Sequence, residues 1–413
     1  MATRTIANGG GNYNSTGTWV EGAVPTSADD VVATGTSGAL TVTAAAAAKT
    51  LILTGYTSTL TINTSQTLTV SGDVNLASGM TYAGAGALAI AATATLTANG
   101  KTVSGDLVLN NGTFTMTLAD NWIVTGLFSA LAGSSTVTLN GNQVTCNGSV
   151  TLAARLTGTT VLLLAGTGTW TGTATNSRYC SCPITVNTAG TLTIAAIGPC
   201  LGGGTLTYTA GTFAGTGTWT LGASQTISGA LPSIYNLTVN GFSVTLTLNN
   251  ALTVTNILST VKISSATTLT ITGANVTIGT LELHVMYSLV FDSTRTLTVS
   301  TVLQAIGSSL EATQTIRAAT ASSAFTLTYN GTQANMRLSY VIFTDVTATN
   351  QLWNHWGGTL TRTSGITNTS YTPGDYSDPG EAQVATGTSY LYQGTTKNGS
   401  YAGGGSTVIV IED

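Results

Sequence analysis

The chain has 413 residues with 11 Lys+Arg and 15 Asp+Glu, so only 6% of it is charged, against about a quarter in an ordinary soluble domain. Its 42% hydrophobic content excludes a polar disordered chain, and no stretch approaches the roughly 18 consecutive apolar residues of a membrane helix. A net charge of -4, with cations scattered singly from Arg4 to Lys397, gives no basic footprint for nucleic acid.

Threonine, serine, asparagine and 49 glycines replace the missing charge. Threonine is β-branched, fits a pleated surface and keeps a hydroxyl for water or a neighbour, so the composition reads as all-β. The opening, MATRTIANGGGNYN, has no apolar run after its positive residue, which predicts cytosolic synthesis without an export signal and no membrane insertion. Residues 1–34 read as an N-terminal cap. In it Trp19 covers the first turn, Pro25 breaks strand pairing, and the Asp29-Asp30 pair discourages end-to-end stacking of exposed strand edges.

Residues 35–370 read as one repetitive architecture. The small-residue run Ala44 to Ala48 is too short for a helix. From Leu60 the residues Leu60, Ile62, Leu68, Val70, Val74 and Leu76 alternate with Thr61, Thr69 and Asn75, the period of two of strands with one buried face. Asn-Gly turns follow at Asn99, Asn111, Asn140, Asn147, Asn240 and Asn330. The glycines of similar segments at Gly72, Gly105, Gly126 and Gly148 advance by 33, 21 and 22 residues, and the leucines at Leu237, Leu252 and Leu269 by 15 and 17. Such spacing predicts the turns of a right-handed parallel β-solenoid, each burying its apolar face only by stacking on its neighbours. Tandem β-sandwiches are the alternative, since Asn-Gly between alternating runs also signals hairpins; the aromatic content of 7% is low for sandwich cores. From Tyr371 a turn-rich linker leads to a small C-terminal β module, residues 371–413. Its oligomerisation or anchoring candidates are Tyr390, Tyr392, Tyr401, Val408, Ile409, Val410 and Ile411.

The pattern Trp19-x-x-Gly22-x-x-Pro25-x-x-x-Asp29-Asp30-Val31-Val32, followed by Thr-rich segments, resembles the opening of β-helix proteins of bacteriophage virions and bacterial surface fibres. Met336 to Val346 resembles the late turns of such proteins. The segment Pro379-Gly380-Glu381-Ala382-x-Val384-x-x-Gly387-x-x-Tyr390-x-x-x-Gly394 is similar to a short module near the C-termini of phage structural proteins. Together these stretches cover about a quarter of the chain. The resemblance implies a virion component in several copies, often a homotrimer, touching other virion proteins.

Chemistry is sparse. Cys146, Cys180, Cys182 and Cys200 lack redox or zinc spacing and read as small buried residues. Asp29 and Asp30 point to opposite faces of an extended segment and cannot form the carboxylate dyad of a glycosidase. Asp73 and Asp106, each after Ser-Gly, occupy equivalent places that would line one face, most simply as turn caps for backbone amides. Glu282 and His284 share a strand face with Met286, flanked by buried Leu281, Leu283 and Val285. Trp353, His355 and Trp356 form the densest aromatic cluster and are candidates for contact with a partner or a host-surface glycan. Arg337, Arg362 and Asp345 are candidates for a paired network beside it. Thr-x-Thr units at Thr41, Thr59 and Thr245 raise an ice-binding face, but their irregular steps predict no flat register. No catalytic, cofactor or metal residue is assigned. The reading is a non-enzymatic fibre, decoration or attachment protein of a phage virion, with a glycan-cleaving tailspike and a bacterial adhesin as alternatives.

Overall fold

The computed structural model describes residues 2–110, 112–131, 136–172, 179–261, 267–284, 287–306, 314–339 and 341–350, and then the segments 353–355, 360–361, 363–368, 384–385, 388–393, 396–401 and 408–409. The chain divides into two compact units, Met1–Gly229 and Ala230–Asp413.

In the first unit, up to Thr171, each turn of chain lays down three short strands, and the turns after it carry the long strands Ile184–Ile194 and Thr205–Ala214. One turn supplies Thr50–Ile52, Thr59–Ile62 and Thr67–Val70, and the next supplies Val74–Asn75, Thr81–Ala83 and Ala87–Ile90. Each strand pairs in parallel with its counterpart one turn away: Leu51 with Val74, Leu60 with Tyr82, and Leu68 with Leu88. This is a parallel β-solenoid, and the parallel pairing overrules the sandwich alternative, whose neighbouring strands run antiparallel. Hydrogen bonds between turns join residues 20, 21 or 22 apart. The alternation seen in the sequence therefore becomes columns. Ala46, Leu68, Leu88, Leu107, Phe128, Val150, Trp170 and Ile194 stack in register and are all buried. Each fully buried large side chain of such a column contributes about 1.5–3 kcal/mol.

Glycine marks one corner of these turns. A Cβ on Gly105 would lie 1.9 Å from the Gly86 carbonyl oxygen, and one on Gly148 would lie 2.1 Å from that of Gly126. The 21- and 22-residue advances from Gly105 through Gly148 thus follow one physical column. Gly72 does not belong to it: its Cβ would meet Lys49 O at 2.9 Å.

The parallel ladder starts at Thr3–Thr5, which pairs with Asp30–Val32, within the segment read as a cap. The chain between them folds over the free edge of this first strand. Val20 N–H donates to Thr5 O at 2.9 Å, and Ala7 N–H to Thr18 O at 2.9 Å. Trp19 is buried, meets Tyr13 edge-on at 5.1 Å, and donates its indole N–H to Tyr13 O at 2.8 Å. Asp29 does not repel a neighbour as anticipated. It is buried and accepts from Ala2 N–H and Thr26 N–H, both at 3.0 Å, while Asp30 lies in the ladder and accepts from the Thr50 hydroxyl at 2.8 Å. A side chain that closes a turn by taking two amides is held inside the fold, which is why this pair presents no repulsive double charge.

In the second unit the strands are longer. Ile234–Val239, Leu252–Thr260, Val276–Leu283 and Thr296–Ile306 stack in that order with register shifts along each. In the next turn Phe325–Tyr329 and Met336–Ser339 both pair with Thr296–Ile306. A second ladder runs through Val244–Leu248, Thr267–Thr272, Tyr287–Phe291, Gln314–Ala318 and Val341–Thr344. Leu237, Leu252 and Leu269 are not one column: Leu237 pairs with Leu258, Leu252 with Val276, and Leu269 with Val244 and Leu289. The 15-residue step reaches the stacked strand of the next turn out of register, and the 17-residue step crosses to the other ladder. The strands Val384–Ala385, Thr388–Gln393, Thr396–Tyr401 and Val408–Ile409 pair antiparallel. They carry Tyr390, Tyr392, Tyr401, Val408 and Ile409; Val410 and Ile411 lie outside the described residues.

Candidate functional site

A protein with so few charges shows its function by which of them the fold leaves over. Most described carboxylates hold a neighbouring turn. Asp73 accepts from Thr95 N–H, Asp106 from Leu127 N–H, Asp120 from Ala98 N–H and Asp292 from Gly273 N–H, all at 2.7 Å. Asp345, buried and at φ 57°, accepts from Ser322 N–H at 3.1 Å, and Glu21 accepts from Thr5 N–H at 2.8 Å. Asp73 and Asp106 therefore act as amide caps, but on different sheets: Asp73 precedes Val74–Asn75, whereas Asp106 opens Asp106–Leu109. They do not line one face, because the Ser-Gly before each belongs to a different corner of the turn.

Glu282 is the exception among the described carboxylates. Its strand, Val276–Leu283, buries Leu281 and Leu283 and turns Glu282 outward, as the period of two requires. Glu282 Oε1 lies 3.9 Å from His284 Nε2, and the two side chains are 31% and 37% exposed. The shared face expected from the sequence is present; Val285 and Met286 lie outside the described residues.

Stacking adds partners that the sequence did not bring together. Ser259, Glu282, Gln304 and Arg337 are successive register partners on four turns, so they form one outward row. Ser259 in turn shares a hydroxyl contact of 3.3 Å with Thr238. Strand Trp353–His355 adjoins Met336–Ser339 and pairs with Ile366–Asn368. Trp353–His355 belongs to that separate two-stranded sheet, so Trp353 and His355 are not in the row of Glu282 and His284; Trp356 and Arg362 are outside the described residues.

At the corner beyond Glu282, His284 N–H donates to Thr260 Oγ1 at 2.8 Å. Fully buried Gln314 donates from Nε2 to Leu283 O at 2.8 Å and to His284 O at 2.6 Å. The remaining polar atoms there, His284 Nδ1 and Gln314 Oε1, are buried without a hydrogen-bond partner. Gln304 and Gln314 were missed as site residues because an isolated glutamine carries no local signal; only the register places them beside Glu282 and His284.

The four cysteines are buried thiols that form no disulfide. Burial pushes the Cys146 thiol far up and that of Cys200 to about 12, the nearby Cys180 adding to the latter. The Cys182 thiol and burial together raise Cys180. Such thiols are poor nucleophiles. Among the described residues no group of three or more His, Cys, Asp or Glu is placed to hold a metal ion, and no helix is long and apolar enough to cross a membrane.

One Thr-x-Thr array is in register where the irregular steps in the sequence predicted none. Thr296 and Thr298 stack on Thr326 and Thr328, which stack on Thr347 and Thr349. The Thr328 and Thr349 hydroxyls bond to each other at 2.9 Å, so in that column the hydroxyls tie turns together.

No family model matches this chain, and no match is found among curated proteins or solved structures. The fold defines its class, the parallel β-solenoid, a shape that many protein families use.

Proposed function

We propose that the chain is a non-enzymatic structural component of a bacteriophage virion: a fibre, decoration or attachment protein, self-associating as a homotrimer and contacting other virion proteins. The observation that carries this reading is the use of the ionisable groups. Asp73, Asp106, Asp120, Asp292 and Asp345 are committed to backbone amides of adjacent turns, which stiffens a stack of parallel strands and leaves little for chemistry. Low charge and a hydroxyl-rich surface favour close packing of identical chains, because like-charge repulsion is small. The motif resemblance at Trp19 to Val32 and at Pro379 to Gly394 supports the virion assignment, with no direct nucleic-acid contact and no cofactor.

Glycan cleavage is the enzymatic rival, and it requires two carboxylates about 5–9.5 Å apart. The row around Glu282 supplies serine, glutamine, arginine and histidine instead, a set suited to holding a ligand. The test is cross-linking mass spectrometry on purified particles from a culture that produces the chain. The chain is expected in stoichiometric amounts, linked to capsid or tail subunits; its absence from particles would refute the virion reading and favour the adhesin.

A further inference from the structure

We propose that the outward face built by Thr296, Thr298, Thr326, Thr328, Thr347 and Thr349 binds ice, its hydroxyl and methyl groups holding water in the repeat of a crystal face. The proposal goes beyond the virion reading and stands independently of it.

Three features argue for it. The first is completeness. The six threonines fill two columns on three turns, and the column of Thr298 runs two turns further, through Thr277 and Thr253. Across segments 252–254, 276–278, 296–299, 325–329 and 346–349 the alternate residues are buried, so every outward position is a threonine and none is charged. The second is spacing. Parallel strands stack at about 4.8 Å, and outward residues two apart on one strand are separated by about 6.6 Å. The first repeat is slightly longer than the a axis of hexagonal ice and the second slightly shorter than its c axis. Over three turns the accumulated mismatch stays below the diameter of a water molecule. The third is preorganisation. The Thr328 and Thr349 hydroxyls bond at 2.9 Å, the Ser364 hydroxyl donates to that of Thr347 at 3.2 Å, and the Asn350 amide donates to Asn330 at 2.8 Å. Such side-chain ladders hold a sheet flat against its twist. A threonine hydroxyl has one donor and two acceptor sites, so that of Thr328, bonded to Thr349, still has sites for water. The stiff χ1 of threonine fixes where that water sits. The first unit supplies the contrast. Thr115, Thr138 and Thr157 also stack, with a hydroxyl contact of 3.1 Å between the last two, but Arg155 pairs with Thr136 beside them and brings a charge whose hydration shell does not fit a lattice.

The test is slow growth of ice from a solution of the full chain, with the partition of protein into the ice measured, together with thermal hysteresis by nanolitre osmometry. The parent is expected to concentrate in the ice and to separate its melting and freezing points. Thr298→Lys and Thr326→Lys, each placing a charged side chain within the array, should lose most of both effects. Thr138→Lys, in the first unit, should leave them unchanged. Circular dichroism confirms that each variant is folded. The proposal is overturned if the parent is excluded from the ice and shows no hysteresis, a result that needs no variant. It is equally overturned if folded Thr298→Lys and Thr326→Lys behave like the parent, or if Thr138→Lys abolishes the effect as they do. The particle experiment fails independently: a chain found in virions but excluded from ice would keep the virion reading and sink the ice-binding face.

Discussion

Replacing Gly148 by alanine tests the stacking directly. The added methyl would sit 2.1 Å from the Gly126 carbonyl oxygen and 2.6 Å from that of Thr125. Both contacts are with backbone, which has no rotamer to escape into. Gly148 does not adopt the left-handed conformation, so the requirement for glycine here comes from close approach. Relief demands that the two turns separate by about an ångström, against a strand spacing of about 4.8 Å. Nearby ladder bonds then stretch, including Asn147 N–H to Val124 O at 2.8 Å and Ala165 N–H to Cys146 O at 3.0 Å. Two such bonds at about 1 kcal/mol each, added to an overpacking cost of about 1–3 kcal/mol, predict a loss of about 3–5 kcal/mol. Guanidinium unfolding followed by tryptophan fluorescence reads it, since Trp122, Trp170 and Trp219 are buried in the same unit. Gly9→Ala is the control, because a Cβ there meets nothing within 4 Å. A Gly148→Ala protein that unfolds within about 0.5 kcal/mol of the Gly9→Ala protein, at equal denaturant slope, would refute the close stacking of these turns.

Three further outcomes are expected. Hydrogen bonds from Thr26 and Ala2, helped by the Arg4 charge, hold the Asp29 carboxyl below the usual carboxylate range. The stability it contributes is therefore complete above the unfolded-state value of about 3.9 and lost as pH falls through the lower folded value. Hydrogen exchange at Thr26, whose N–H donates to Asp29, should report the turn opening on acidification, and Asp29→Asn should open it at neutral pH. The four thiols should resist an aromatic disulfide reagent at pH 8 in the native protein and all react in denaturant; rapid native labelling would contradict their burial. Deleting residues 371–413 should leave a folded but monomeric or unincorporated protein by light scattering, and an unchanged oligomer would remove that module from assembly.

Much of the architecture was legible because β-stacking writes itself as alternation. Leu60, Ile62, Leu68 and Val70 are buried as the period of two required, and Gly105, Gly126 and Gly148 advance by one turn each. Legibility fails where turns differ in length. Gln304 and Arg337 share a row, but the intervening turn carries extra residues, so no fixed period links them. The same irregularity hid the alignment of Thr296, Thr326 and Thr347. Asp29 was misread for another reason: a sequence shows that two acids are adjacent, and only the closed turn shows that one of them is spent on amides.

The central claim is that equivalent residues of successive turns lie side by side in parallel register, and engineered disulfides measure it most directly. Thr328 and Thr349 are register partners, at the separation of about 4.4–6.8 Å between Cα atoms that a disulfide spans, whereas Thr328 and Thr347 lie diagonally, beyond about 7 Å. Under oxidised glutathione, the Thr328→Cys, Thr349→Cys protein should form the intramolecular bond and the Thr328→Cys, Thr347→Cys protein should not, as read by peptide mass spectrometry. Equal yields, or bonding of the diagonal pair alone, would contradict the register on which the stack, the polar row and the proposed function all depend.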